Sequence, residues 1–248
     1  MEKVEKNWKN INEFLSQAGP NLNILEEEID VTVQKEYFEL SGALGKHPRK
    51  YKTLCKTYVE QINNLFDENT DPATKKQMLV VLATIDDIAI YRSIESFSKQ
   101  DTPLRSWAII ALQQSRMLIQ SSLLDDPGIF ISTGLGGQGR MLRYFCVYFN
   151  RHNEPLQEYQ QQIVKNETET ALRPLQGSIE QVDFYSGYST LLLLLPIDSD
   201  LKSIFEGIIS ECNQYGNFLH ENMIITNVKK LTEKEILQLL KKEKKEPF

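Results

Sequence analysis

The sequence predicts an α+β chain of two domains: an all-α helical-repeat half over residues 1–126, then a strand–helix–strand–strand–helix–strand half over residues 127–248. Three observations predict it. Apolar residues recur at helical spacing through most of the first half, as at Tyr58, Ile62 and Phe66 or Ile90, Ile94 and Phe97. Two segments of that half match each other, one opening at Asp71 and the other at Asp101. After Asp125-Asp126-Pro127-Gly128 the period changes, and aromatic and β-branched residues gather in short runs bounded by turn formers.

In the first half, helices are expected over 6–17, 22–44, 51–66, 74–85, 86–99 and 102–124. Polar stretches such as DENTDPAT and SKQDTP divide them, with Asp or Thr placed to cap the helix that follows. The segments DPATKKQMLVVLA and DTPLRSWAIIALQ pair Asp71 with Asp101, Lys75 with Arg105, Leu79 with Ile109, Val80 with Ile110 and Leu82 with Leu112. Pro72 and Pro103 are each expected in a first turn, where a missing amide costs little. One such helix cannot bury its apolar face alone, so stacked antiparallel pairs are the physical solution. From Tyr51 to Leu112 this pattern resembles the HEAT-like helical repeats, whose second helix often opens with Asp and carries Arg or Lys one turn on.

In the second half, MLRYFCVYFN (141–150) reads as a strand and PLQEYQQQIVKNETETAL as a helix. IEQVDFY and YSTLLLLL are two strands flanking a tight turn at Ser186-Gly187. DSDLKSIFEGIISECNQYG is a capped helix ending at Gly216, and FLHENMIITNV is a fourth strand. TEKEILQLLKK closes the chain as a helix with a Thr232…Glu235 capping box. This order resembles the ferredoxin-like split βαβ. In such a fold two helices cover one sheet face. Yet Leu191 to Leu195 and Tyr144 to Phe149 are apolar on both faces, which is the pattern of strands buried on both sides. The second face therefore needs a cover: the helical half, the helix after Thr232, or another copy of the chain.

Composition bounds the function. The 248 residues are 41% hydrophobic and 25% charged, which is globular, and the net charge of −6 makes nucleic acid an unlikely partner. The N-terminus is charged and amphipathic, and no apolar run approaches a membrane span. Cys55, Cys146 and Cys212 are scattered and odd in number, which suits reduced thiols in the cytoplasm.

The nearest approach to a chemical motif is the glycine-rich stretch after residue 131. Gly134, Gly136, Gly137 and Gly139 can adopt angles closed to other residues, and with Ser132, Thr133 and Arg140 they could form an anion-binding nest. The stretch runs into a strand and has no Lys-Ser/Thr ending, so it is neither a Walker loop nor a dinucleotide fingerprint. A turn from helices into sheet explains the same glycines. The three histidines stand apart, without metal-ligand spacing, and no nucleophile elbow occurs, so no metal, cofactor or catalytic residue is assigned. The basic loop GKHPRKYK (45–52) reads as an exposed turn. An aromatic-poor third strand and the absence of the RNP1 pattern count against an RNA-recognition domain. The expected function is a non-catalytic intracellular adaptor or regulatory protein, acting through a protein partner or self-association on the apolar sheet face. The alternative is a sensor of a small anionic metabolite held by the glycine loop, in the manner of ACT-type domains, which share this element order.

Overall fold

The computed structural model describes residues 22–124, 128–152 and 154–243, the side chains of 240–243 excepted. The chain is a mixture of helix and sheet, and divides into two compact units, one running to Ser132 and the other from Thr133.

Among the described residues the first unit opens with β1 (Leu22–Ile24) and closes with β2 (Ile129–Ile131), which pair in parallel with Leu22 opposite Ile129 and Ile24 opposite Ile131. Between them run α1 (Val31–Gly45), α2 (Pro48–Glu60), a 3₁₀ turn (Ile62–Leu65), α3 (Pro72–Leu82), α4 (Ile88–Ser98) and α5 (Arg105–Leu124). Aspartates cap three of these helices. Asp30 accepts from the Thr32 amide at 2.7 Å, Asp71 from Thr74 at 3.0 Å, and Asp87 from Ala89 and Ile90 at 2.6 and 3.2 Å. Each satisfies amides that the helix leaves unpaired. α3 is the centre of the core, with Met78 to Leu82 all buried. Tyr37 is fully buried against Trp107, with ring centroids 5.5 Å apart, and donates its hydroxyl to Gln114 at 2.8 Å. That burial pushes its phenol pKa up.

Two expectations fail locally. Leu22 to Ile24 form a strand rather than the start of a helix, because the helix begins only at the Asp30 cap. Asp101 and Pro103 precede α5 instead of capping it and opening its first turn; the Leu104 amide bonds to the Thr102 hydroxyl at 3.3 Å, and the helix starts at Arg105. The two matched segments thus share a buried stripe, Leu79 and Val80 with Ile109 and Ile110, but not their termini. The helix expected over 6–17 lies outside the described residues.

The second unit contains β3 (Gly137–Gln138), β4 (Met141–Asn150), α6 (Glu158–Leu172), a 3₁₀ turn (Arg173–Leu175), β5 (Ser178–Phe184), β6 (Tyr188–Pro196), α7 (Leu201–Gln214), β7 (Leu219–Thr226) and α8 (Glu233–Glu243). The sheet order is β7–β4–β6–β5, all antiparallel, with β3 paired to the start of β4. Helix α6 packs beside β5, α7 beside β7, and the two helices pack on each other. They cover the face carrying Tyr144, Cys146 and Tyr148, where Tyr148 meets Phe205 of α7 at 6.3 Å. On the opposite face, Phe145, Val147 and Phe149 of β4 and Leu192 of β6 join Leu135, Leu231 and Ile236 in a second apolar cluster. The closing helix is therefore the cover that the doubly apolar strands require.

The Ser189 hydroxyl is fully buried on the helix-covered face, opposite Tyr148, and has no hydrogen-bond partner among the described residues. A buried donor left without a partner is destabilising. Ser189→Ala is expected to raise the unfolding free energy by about 1 kcal/mol, measured by urea titration; a loss of stability would mean the hydroxyl is satisfied in solution.

Candidate ligand groove on the second sheet face

The covering helix closes only part of the second face. Beside it lies a cavity of about 320 Å³, at the lower end of the range for small-molecule sites. Its floor is Phe145 of β4 with Thr190 and Leu192 of β6. One side is Gln181, Asp183 and Tyr185 of the β5–β6 hairpin, together with Tyr188, and the other is Lys230, Leu231, Glu233 and Ile236.

Local structure explains each position. Side chains alternate along a strand, so Tyr188, Thr190 and Leu192 share the groove face of β6. On β5 the register shifts between Ile179 and Gln181: Ile179 pairs with Leu193, but Gln181 pairs with Leu192. This bulge inserts one extra residue, Glu180. It turns Gln181 and Asp183 toward the groove, and sends Val182 and Phe184 to the face covered by the helices. Were Glu180 to pair with Leu192 in place of Gln181, Val182 and Phe184 would take the groove face, because a shift of one residue exchanges the two faces. Glu180 itself accepts from Arg143 Nε at 2.7 Å. The turn at Tyr185–Tyr188 is closed by a Tyr185 N–H···O Tyr188 bond of 2.9 Å, and Gly187 supplies its φ of +95°. The turn stacks Tyr185 on Tyr188 with centroids 4.9 Å apart and planes 24° from parallel. Tyr188 is buried and Tyr185 is exposed, so the pair offers a free aromatic face at the groove mouth.

The polar groups are also ordered. Gln181 Nε2 donates to Asp183 Oδ2 at 2.7 Å, which fixes one carboxylate oxygen. Burial, reinforced by the Glu233 carboxylate and by Tyr185, pushes the Tyr188 phenol pKa up. On the other wall Glu235 completes the capping box of α8: it accepts from the Thr232 amide at 2.9 Å and hydroxyl at 2.8 Å, and it also pairs with Lys229. These bonds, the Lys229 one first, hold the Glu235 carboxyl down to about 2. This box sets where α8 starts, and so where Leu231 and Ile236 meet the sheet.

The glycine loop lies elsewhere in the same unit. Gly134 is so close to the backbone of Val228 that an added Cβ would stand 1.6 Å from its carbonyl oxygen. The Leu135 amide donates to Asn227 O at 3.1 Å and the Gly136 amide to Thr133 O at 3.3 Å, while the Thr133 hydroxyl donates to Gly136 O at 3.2 Å. Gly137 pairs with Leu142, and Gly139, with φ of +59°, makes the turn into β4 beside the exposed Arg140. Ser132 stands at the junction of the two units. The loop thus straps β4 to the segment leading into α8. Sequence reading singled out this loop and passed over Gln181, Asp183, Tyr185 and Tyr188, whose only signal was the Ser186-Gly187 turn. Among the described residues no cluster of His, Cys, Asp or Glu could hold a metal, and no helix is long and apolar enough to cross a membrane.

No protein-family model matches the sequence, and no curated protein matches it. Among solved structures, one similar chain is a candidate transposase from Deinococcus radiodurans R1, at 12% identity and a TM-score of 0.36; the match covers 42% of this chain and 91% of that one. Another is a REP-associated tyrosine transposase bound to a REP hairpin, at 15% identity and a TM-score of 0.31, covering 39% of this chain and 61% of that one. Set beside a candidate transposase and a transposase bound to a hairpin, three expectations are corrected. The chain is not assigned as a non-catalytic adaptor or an anion sensor, it is not described as a HEAT-like interaction protein, and nucleic acid is no longer set aside as a partner. Two physical observations join those corrections. The face reserved for a protein partner or a second copy is covered at β4 by the chain's own α8, and the second matched segment meets the chain turning into α5 through Thr102 rather than Asp101. At TM-scores this low the neighbours lend the chain no activity.

Two outcomes follow. Gly134→Ala is expected to cost about 3 kcal/mol, because two backbones must part, whereas Gly139→Ala, with open space around it, costs about 1 kcal/mol for its left-handed backbone; urea titrations of both variants check the contrast. The Glu235 carboxyl is lowered in the folded chain, so the stability it adds is complete above its unfolded pKa. It is lost as pH falls through about 2. Ile236 methyl resonances should therefore keep their docked positions down to pH 3 in the wild type and move at neutral pH in Glu235→Gln.

Proposed function

We propose that the second unit is a ferredoxin-like binding domain, and that the chain's function is to bind a small planar ligand rich in N–H donors in the groove on its second sheet face. What carries this reading is the convergence on one cavity of a stacked tyrosine pair with an open face and an ordered Gln181–Asp183 pair. A flat ligand would stack on Tyr185, in the geometry aromatic pairs prefer. Its edge donors would meet Asp183, Gln181 and Glu233, and its body would rest on Phe145, Leu192 and Ile236. Two stacked aromatics supply area at small entropic cost, and carboxylates at the rim supply orientation.

The ferredoxin-like assignment is supported by the antiparallel order β7–β4–β6–β5 with both crossover helices on one face. The two domains part within residues 127–133. A reducing, cytoplasmic setting accords with three free cysteines, two of them buried and with their thiol pKa values raised by burial.

Ligand-observed saturation-transfer NMR on the full chain tests the reading, with adenine, guanosine, benzamidine and agmatine as probes. At least one should show transfer from the wild type, and Tyr185→Ala should weaken it about tenfold, the equivalent of a stacking contribution near 1.4 kcal/mol. Binding by none, or equal binding by the variant, overturns the proposal.

A further inference from the structure

The charge of the groove narrows the ligand. Its lining holds two carboxylates, Asp183 and Glu233, against one lysine, Lys230. The local balance is therefore negative, and it lies on a chain whose net charge is −6. An anionic ligand would meet like charge on opposite walls, Asp183 from the β5 side and Glu233 from the first turn of α8. A neutral base would leave the excess of carboxylate over lysine in the lining uncompensated. A cation answers both.

The shape of the groove narrows the cation. An ammonium is compact and strongly hydrated, with donors pointing in all directions, whereas a guanidinium is flat, more weakly hydrated and forks its donors in one plane. The groove is built for the flat one. Tyr185 presents a ring face, on which a guanidinium stacks with cation–π attraction. Asp183 stands on the edge strand β5, two residues before Tyr185 in the turn that follows, with Oδ2 already accepting from Gln181. Its carboxylate is the acceptor a planar fork requires. Behind them Phe145 and Leu192 of the floor, with Ile236 of the facing wall, form an apolar surface that fits a hydrocarbon stem, as long cationic side chains use.

Resting on the binding reading above, we infer that the groove takes a guanidinium group, stacked on Tyr185 and paired with Asp183, its stem over the apolar floor. The group is carried either by a free small guanidine or by an arginyl side chain.

Isothermal titration calorimetry of the full chain tests this with four compounds: agmatine, the blocked peptide acetyl-Gly-Arg-Gly-amide, n-butylamine and guanosine. Agmatine or the peptide should bind at least tenfold more tightly than n-butylamine, and whichever binds better identifies the source. Asp183→Asn keeps an acceptor for Gln181 and should still weaken the guanidine at least tenfold, with an unchanged melting temperature showing that the fold is intact. The affinity should also fall as salt rises. Equal binding of n-butylamine and agmatine, or an unaffected Asp183→Asn, overturns the inference. If guanosine binds in a Tyr185-dependent way and neither guanidine does, the guanidinium inference falls while the groove stands as a ligand site. If nothing binds in a Tyr185-dependent way, both fall.

Discussion

The two central strands of the C-terminal unit are apolar on both faces, and most of that unit answers to this fact. A β-strand with one wet face alternates; β4 and β6 do not, with Leu142 and Tyr144 to Phe149 buried, and Tyr188 to Leu195 likewise. One face is closed by α6 and α7. On the other, the segment after β7 lays Leu231 and, from α8, Ile236 against Phe145, Val147 and Leu192. The placement of α8 in turn depends on polar chemistry at its first turn, the Thr232–Glu235 box and the Lys229 pair. The strap from Thr133 to Gly137 fixes the segment between β7 and that turn by hydrogen-bonding Asn227 and lying against Val228. The groove is the remainder of this closure: the part of the second face, toward β5, that a single helix is too narrow to cover.

Much of this was legible in the sequence. The span of β4, the Ser186-Gly187 turn, the α7 cap at Asp200 and the closing capping box are all local, and each follows from residue type and spacing. The need to cover the second face was legible too, since it rests on the apolar runs alone. What failed to show was whatever depends on pairing across the chain. β1 and β2 are three residues each and are held by one another over more than a hundred positions, so neither carries a periodic signal of its own. The groove is hidden for the same reason. Asp183 and Tyr185 become a site only through the register with Thr190 and Tyr188, and IEQVDFY reads as an ordinary edge strand. The glycine loop attracted attention because glycine is conspicuous in a sequence. At Gly134 the structure shows a close approach of two backbones, a use of glycine that the sequence does not reveal.

The helical unit shows the opposite balance. Asp30, Asp71 and Asp87 each hold an amide of the helix they precede, and the buried stripe of α3 continues into the equivalent stripe of α5. Internal similarity was therefore real at the level of burial. It did not extend to the helix ends, where Thr102 and not Asp101 meets the chain turning into α5. Repeats in which only the apolar face is common preserve packing volume and release the termini to vary, and termini are what a repeat signature reads first.

The bulge at Glu180 has one more consequence. It uncouples the two ends of β5: the groove end takes its alternation from the hairpin turn, and the extra residue is absorbed before that alternation reaches Ile179. Deleting Glu180 would leave Ile179 opposite Leu193 and Gln181 opposite Leu192, so Gln181 and Asp183 would still face the cavity. What such a deletion removes is the carboxylate that pairs with Arg143. A lineage carrying this domain could therefore gain or lose a residue at that point of the strand without rewriting the chemistry of the groove.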